Sequence, residues 1–255
     1  PVDGKIRVKD IEQALRPDTI LVSTMYANNE TGYILPIKEI GQILKDHPAK
    51  FHVDAVQAMG KIPIHPEELA IDFMSASAHK FQGPKGVGFI YANDFHFDSL
   101  LQGGSQEDKK RAGTENIVSI AGMAAALEEN ISLMDEHFHH VQALQHRLLQ
   151  GLEGTDYYLN VQEPHLPHVV NLGLPGQASD ILLMRLDMAG ISVSTGSACT
   201  AGAIEPSHVL SSFYGENAPC LKESFRISIS DQNTIQEIDT FTKKLKEILG
   251  ETHGL

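Results

Sequence analysis

The 255-residue chain is long enough to bury a substantial core, in one large domain or two modest ones. Its 42% hydrophobic and 21% charged residues are ordinary for a globular protein, and no apolar run reaches the length of a bilayer span. With 33 acidic against 20 basic residues the formal charge is −13, which disfavours direct nucleic-acid binding; two cysteines, Cys199 and Cys220, form no disulfide framework and suit a reducing cytoplasm.

The chain opens on Pro1 and a predicted helix from Lys9 to Leu15, which reads as a cut or processed start. The apolar run Thr19 to Met25 predicts a strand that ends in the polar cluster Asn28-Asn29-Glu30-Thr31-Gly32. Pro36 opens a helix with Ile37, Ile40 and Leu44 on one face, since proline is tolerated in a first turn. Three short strands follow: Phe51 to Asp54, Asp72 to Ala76, and Gly86 to Tyr91, the last after the turn Gln82-Gly83-Pro84-Lys85. Polar residues gather where successive strands finish, the place where open parallel sheets hold ligands, so Asn29, Asp54 and His79-Lys80 are expected on one rim.

A helical stretch from Val118 to Gly151 comes next, with Met134, Phe138, Val141, Leu144 and Leu148 at three- and four-residue spacing. We place a domain boundary within it, giving a first domain over 1–133 and a second over 134–255. The second reads as strand (His168 to Leu172), helix (Ala178 to Met188), strand (Ile191 to Ser194), small-residue loop, short helix after Pro206, strand (Phe225 to Ile229) and last helix. Thr234 and Glu237 stand in capping-box spacing ahead of Ile235, Ile238, Phe241, Leu245 and Ile248, predicted to be buried.

Several residues bear on chemistry. Asp54 at a strand end, Gln57 three residues on, and Ser77, His79 and Lys80 in one run form the set that pyridoxal 5'-phosphate (PLP) needs. An acid holds its pyridine nitrogen protonated, donors meet its phosphate, and a lysine binds it covalently. Reactivity near neutral pH calls for a partly desolvated Lys80 near other positive charge. Cys199 lies among Ser197, Ala198, Thr200 and Ala201 between Gly196 and Gly202, a small, polar setting that argues for accessibility rather than packing. Cys220 matches no motif and is taken as structural. His137 and His140 share a helix face, but nothing completes a metal site, and no nucleotide-binding glycine fingerprint is present.

The runs Ala27 to Gly32, His52 to Gln57, Ser75 to Gly86, Arg111 to Asn116 and Ser194 to Gly202 resemble the cysteine desulfurases of the NifS/IscS type, fold-type I PLP enzymes of the class V aminotransferase superfamily. The resemblance implies an α/β fold, with part of a PLP-binding large domain of mostly parallel sheet followed by a smaller α+β domain. It implies that Lys80 holds PLP, Asp54 pairs with the pyridine nitrogen, and Gln57 meets the phenolate oxygen. Ser77 and His79 take the phosphate together with Thr114 from the other subunit of a homodimer. Asn29 then lies beside cofactor and substrate, Arg226 grips the substrate carboxylate, and Cys199 receives sulfur from L-cysteine as a persulfide, leaving alanine. A sulfur-acceptor protein, either an iron–sulfur scaffold or a tRNA-thiolating enzyme, is the implied partner. The alternatives are a selenocysteine lyase or related PLP lyase, and a non-catalytic dimerising fragment that keeps the fold. Members of that family carry a segment ahead of the position matching Pro1, with a phosphate-binding turn and a histidine that stacks on PLP. These 255 residues alone are therefore expected to hold PLP poorly.

Overall fold

The computed structural model describes residues 5–93, 97–160, 163–196 and 206–252. The chain divides into two compact units, one formed by Val8–Tyr26 and Pro36–Met134, the other by Pro1–Arg7, Ala27–Leu35 and Asp135–Leu255. The short segment 27–35 thus leaves the first half of the sequence to join the second unit. Among the described residues, no single helix is long and apolar enough to cross a membrane.

The first unit contains α1 (Val8–Ala14), β1 (Leu21–Met25), α2 (Ile37–Leu44), β2 (Lys50–Asp54), β3 (Phe73–Ser77), β4 (Gly88–Ala92), a four-residue turn α3 (Gln106–Lys109) and α4 (Ile117–Ser132). Its sheet runs β1-β2-β3-β4, parallel except for β4, which returns antiparallel to β3. Phe51 and Val53 of β2 are fully buried, as is Ile40 of α2, which lies against that strand. Strand alternation turns His52, Asp54, Ser75 and Ser77 to the opposite face. That face is open: Leu21, Met25 and Ile90, in register with it, are 50%, 37% and 55% exposed.

The second unit contains α5 (Met134–Gly151), β5 (Tyr158–Leu159), β6 (Val169–Gly173), α6 (Ser179–Met188), α7 (His208–Tyr214), α8 (Cys220–Glu223), β7 (Ser224–Ser228) and α9 (Ile235–Thr252). Its antiparallel sheet has the order β5-β6-β7. Val170 faces Ile227 and Leu172 faces Phe225, and these join Leu144 and Leu148 of α5, Leu182 and Leu186 of α6, and Phe241 and Leu245 of α9 in one apolar core. The expected capping box is present: Thr234 N donates to Glu237 Oε2 at 2.7 Å and Glu237 N to Thr234 Oγ1 at 3.3 Å.

Three expectations are corrected. The stretch 118–151 is two helices, not one. Near the break, Ser132 Oγ donates to the Glu129 carbonyl and buried Asn130 donates to those of Ala126 and Phe81, side-chain bonds that compete with continued helix. Ile191 to Ser194 is not a strand. Gly190 (φ 77°) and Gly196 (φ 59°) bracket it, and only Ser194 bridges to β7, at Arg226. Ile235 is 53% exposed, because it stands in the first turn of α9 ahead of the buried Ile238 and Phe241.

Candidate active site

In the first unit, Asp54 closes β2 in register with Ser75, two residues before Ser77 closes β3. One interstrand step and two residue rises put the Asp54 and Ser77 α-carbons roughly 8 Å apart, the span of a pyridine ring with its phosphate arm. Asp54 Oδ1 accepts from Val56 N at 2.9 Å, while Oδ2 takes no hydrogen bond among the described residues and remains an acceptor at the strand end. Gln57, half-buried, follows in the tight turn after β2.

Beyond β3 the chain enters a 3-10 turn over Ala78–Phe81. Ala78 and Phe81 are buried at 0% and 1%, and the Phe81 carbonyl accepts from Asn130 of α4 at 3.0 Å, so the turn is held from inside while His79 and Lys80 face outward. Gln82 ends the turn in the left-handed conformation (φ 65°), and Gly83 N donates to the Ala78 carbonyl at 2.8 Å. A Cβ on Gly83 would stand 2.9 Å from that of Ala78, which explains the glycine. Ser77 Oγ and His79 Nδ1 share a 2.8 Å hydrogen bond. Lys61 Nζ donates to the Lys80 carbonyl at 2.9 Å and brings a second positive charge near, yet Lys80 itself is exposed rather than desolvated.

A row of hydrogen bonds unforeseen from the sequence crosses the same face one step down the strands. Ser23 Oγ meets His52 Nδ1 at 2.8 Å, and His52 Nε2 meets Ser75 Oγ at 3.3 Å. The signal was present in the parity of β2, where His52 stands two residues before Asp54. Thr114 lies in the loop before α4. It lines a cavity of about 770 Å³ with Gly86 to Ile90, Arg111, Ile120 and Met123.

In the second unit, Asn28 organises the turn that presents Asn29: its buried Oδ1 accepts from Glu30 N and Thr31 N, each at 2.9 Å. Gly32 closes the turn with φ 75°. Arg226 Nη1 donates to the Asn29 carbonyl at 2.9 Å and Nη2 to Ser194 Oγ at 3.0 Å, so Asn29 and Arg226 are brought together. Cys199 lies outside the described residues. Cys220 is buried on α8, and burial pushes its thiol pKa up, which keeps it protonated and unreactive. His137 stands 3.9 Å from Asp231, and His140 Nε2 donates to the Asn233 carbonyl at 2.9 Å.

The donor set fits PLP. A strand-end carboxylate has an oxygen to spare, a hydroxyl–imidazole pair stands at the next strand end, and an outward lysine follows on a turn pinned from beneath. This α/β fold with a polar rim of that kind defines the class of PLP-dependent transferases. The chain belongs to the class V aminotransferase family, whose pattern matches residues 1–241 and whose enzymes depend on PLP. It is 42% identical over 257 residues to the cysteine desulfurase IscS of Clostridium botulinum, covering 98% of this chain and 64% of that protein. A solved NifS-like protein superposes with TM-score 0.89 at 36% identity, covering 98% of this chain and 66% of the other. The structure of SspA in complex with cysteine matches at TM-score 0.76 and 29% identity, over 91% of this chain and 65% of that one. The chain thus spans a little under two thirds of the length of the relatives it matches.

Proposed function

We propose that these residues belong to a cysteine desulfurase that takes sulfur from L-cysteine and leaves L-alanine. The observation that carries the reading is the pairing of an unspent Asp54 carboxylate oxygen with the Ser77–His79–Lys80 run at adjacent strand ends. When bound, PLP supplies an electron sink that makes the Cα proton of an amino acid removable. Lys80 would hold it covalently, and the Asp54 carboxylate would keep its pyridine nitrogen protonated. Gln57 would serve its phenolate oxygen, and Ser77 and His79 would donate to its phosphate.

Arg226 offers its fork to the substrate carboxylate beside Asn29 and so orients the Cα bonds. The Cys199 thiolate attacks the substrate sulfur. An S–S bond forms, the Cβ–S bond breaks, and the proton balance leaves alanine and a Cys199 persulfide. The active protein is a cytoplasmic homodimer in which Thr114 completes the partner's phosphate site. Support comes from α4, which follows Thr114 and leaves Ile117 and Val118 at 71% and 85% exposure. The persulfide passes to an iron–sulfur scaffold or a tRNA-thiolating enzyme.

A second reading, a chain that keeps the fold without turnover, is favoured for these 255 residues alone by the exposure of Lys80 and the open sheet face. Comparing Lys80→Ala with Cys199→Ala in the full-length protein tests the main reading. Lys80→Ala loses the cofactor absorbance and all activity. Cys199→Ala keeps the absorbance and releases no sulfur from cysteine, and desulfuration at the parental rate in that variant overturns the persulfide route.

A further inference from the structure

Two consecutive peptide groups of the turn that presents Asn29 are held at both ends. The N–H groups of Glu30 and Thr31 each donate to Asn28 Oδ1 at 2.9 Å. The carbonyls of the same two peptides, those of Asn29 and Glu30, accept from Arg226 Nη1 at 2.9 Å and Asn171 Nδ2 at 3.0 Å. Those two donors stand directly opposite each other on β7 and β6. The Glu30 side chain is anchored separately, its Oε2 accepting from Ser207 Oγ at 2.5 Å. That bond leaves the peptide plane able to turn about its soft dihedrals, so the Glu30 carbonyl depends on its own donor.

The Asn171 amide has one permitted orientation. A carbonyl can only accept, so the amide nitrogen has to face Glu30 and the amide oxygen has to face away. On that other side Asn160 Nδ2 donates to Asn171 Oδ1 at 2.9 Å and to Ser224 Oγ at 2.7 Å, which uses both of its protons. Asn160, Asn171 and Ser224 are all buried, so these bonds are made away from water, where an unmade one is costly and a satisfied network is rigid.

We infer that Asn171 is a positioning residue for the substrate carboxylate. By clamping the Glu30 peptide it keeps the Asn29 carbonyl on Arg226 Nη1, and so keeps the guanidinium aimed where a carboxylate meets it. Without Asn171 the second peptide turns, the first shares its Asn28 anchor and follows, and Arg226 loses one of its two fixed partners, Asn29 and Ser194. Asn171 touches neither cofactor nor substrate in this role. The inference rests on the reading of Arg226 as the carboxylate grip of a cysteine desulfurase.

The test uses the PLP-loaded full-length enzyme with Asn171→Ala, Arg226→Lys and the two combined. The readouts are kcat and KM for L-cysteine, and calorimetric Kd values for L-alanine and L-alaninamide, which differ only at the carboxylate. A misplacement of about 1 Å costs on the order of 100-fold and Asn171 acts at one remove, so Asn171→Ala should raise KM for L-cysteine and Kd for L-alanine about tenfold. Its kcat and its Kd for L-alaninamide should stay within about twofold of the parent. In the Arg226→Lys background Asn171→Ala should add less than about twofold, because residues that act through one another are not additive. Parental values overturn the inference, as does equal weakening of both ligands or a full tenfold loss in the Arg226→Lys background. Should Asn171→Ala not fold, Asn171→Asp at alkaline pH decides: it keeps the shape and the oxygen facing Asn160 and, ionised, has no proton for Glu30. A parental KM in that variant overturns the inference too. A parent that prefers L-alanine to L-alaninamide yet releases no sulfur sinks only the desulfurase reading, and the ligand series still decides the role of Asn171. A parent without that preference overturns the inference whatever its activity.

Discussion

Asn171 on β6 and Arg226 on β7 stand directly opposite each other, on the face of the second unit's sheet turned away from its apolar core. Their neighbours Val170, Leu172, Phe225 and Ile227 enter that core, so the two-residue period of the strands sends the polar pair to the side where the 27–35 turn lies. Asn171 holds the backbone of Glu30 and Arg226 that of Asn29.

Arg226→Lys should therefore be far from conservative. An ammonium cannot fork between a carboxylate, the Asn29 carbonyl and Ser194 at once, and kcat/KM for L-cysteine should fall roughly 100-fold, mostly through KM. Steady-state kinetics at saturating PLP check this, and an unchanged KM would place the substrate carboxylate elsewhere.

Asp54→Asn replaces the carboxylate proposed to keep the pyridine nitrogen protonated with a neutral amide of the same shape. The Val56 N–H bond to the side-chain oxygen survives, so the turn after β2 should hold. PLP should remain bound with an altered absorbance, while kcat drops on the order of 1,000-fold, a scale set by general acid–base groups in enzymes. Titrating the absorbance alongside turnover separates loss of cofactor from loss of its chemistry.

Gly88→Ala probes the strand that braces Ser77. A Cβ at Gly88 would fall 2.4 Å from the Ala76 carbonyl oxygen, a backbone atom that cannot move without parting β3 from β4. Denaturant unfolding should show a loss of about 1–3 kcal/mol, typical of overpacking, together with weaker PLP retention. Parental values for both would mean that the strand pair yields more easily than its hydrogen bonds suggest.

Burial pushes the Tyr158 phenol pKa from 10.0 up to about 12, with the neighbouring Glu223 carboxylate adding to the effect. The unfolded chain releases this proton first, so between those values it binds fewer protons than the folded chain, and unfolding becomes easier as pH rises. Tyr158 supports stability fully below pH 10, and that support is lost as pH climbs toward 12. Burial raises the Cys220 thiol in the same direction. Tyr158→Phe should lose the 3.2 Å bond to Glu223 at neutral pH and show a shallower alkaline decline in Tm than the parent. An equally steep decline in the variant would assign the alkaline sensitivity to other groups.

Much of the first unit was legible because its strands are short apolar runs that end in turn chemistry: Met25 before Ala27-Asn28, Asp54 before Ala55, and Ser77 before the Gly-Pro turn. The acid and the lysine could be placed at strand ends for that reason. What stayed hidden depends on pairing across long sequence separations. Nothing local in Glu30 announces Ser207, and Tyr158–Leu159 is too short a strand to carry a period. Ile191 to Ser194 misled because its β-branched residues, half-buried against the core, look like a strand where a single bridge forms. Lys80 was expected in a desolvated setting, and its exposure follows from a sheet covered on one face only.

That uncovered face has a thermodynamic consequence. Leu21, Met25 and Ile90 on the sheet, with Ile117 and Val118 on α4, meet water at a cost that any covering surface would remove. A polypeptide so built gains stability from whatever binds there, by mass action, so its melting temperature rises with the concentration of that binding surface.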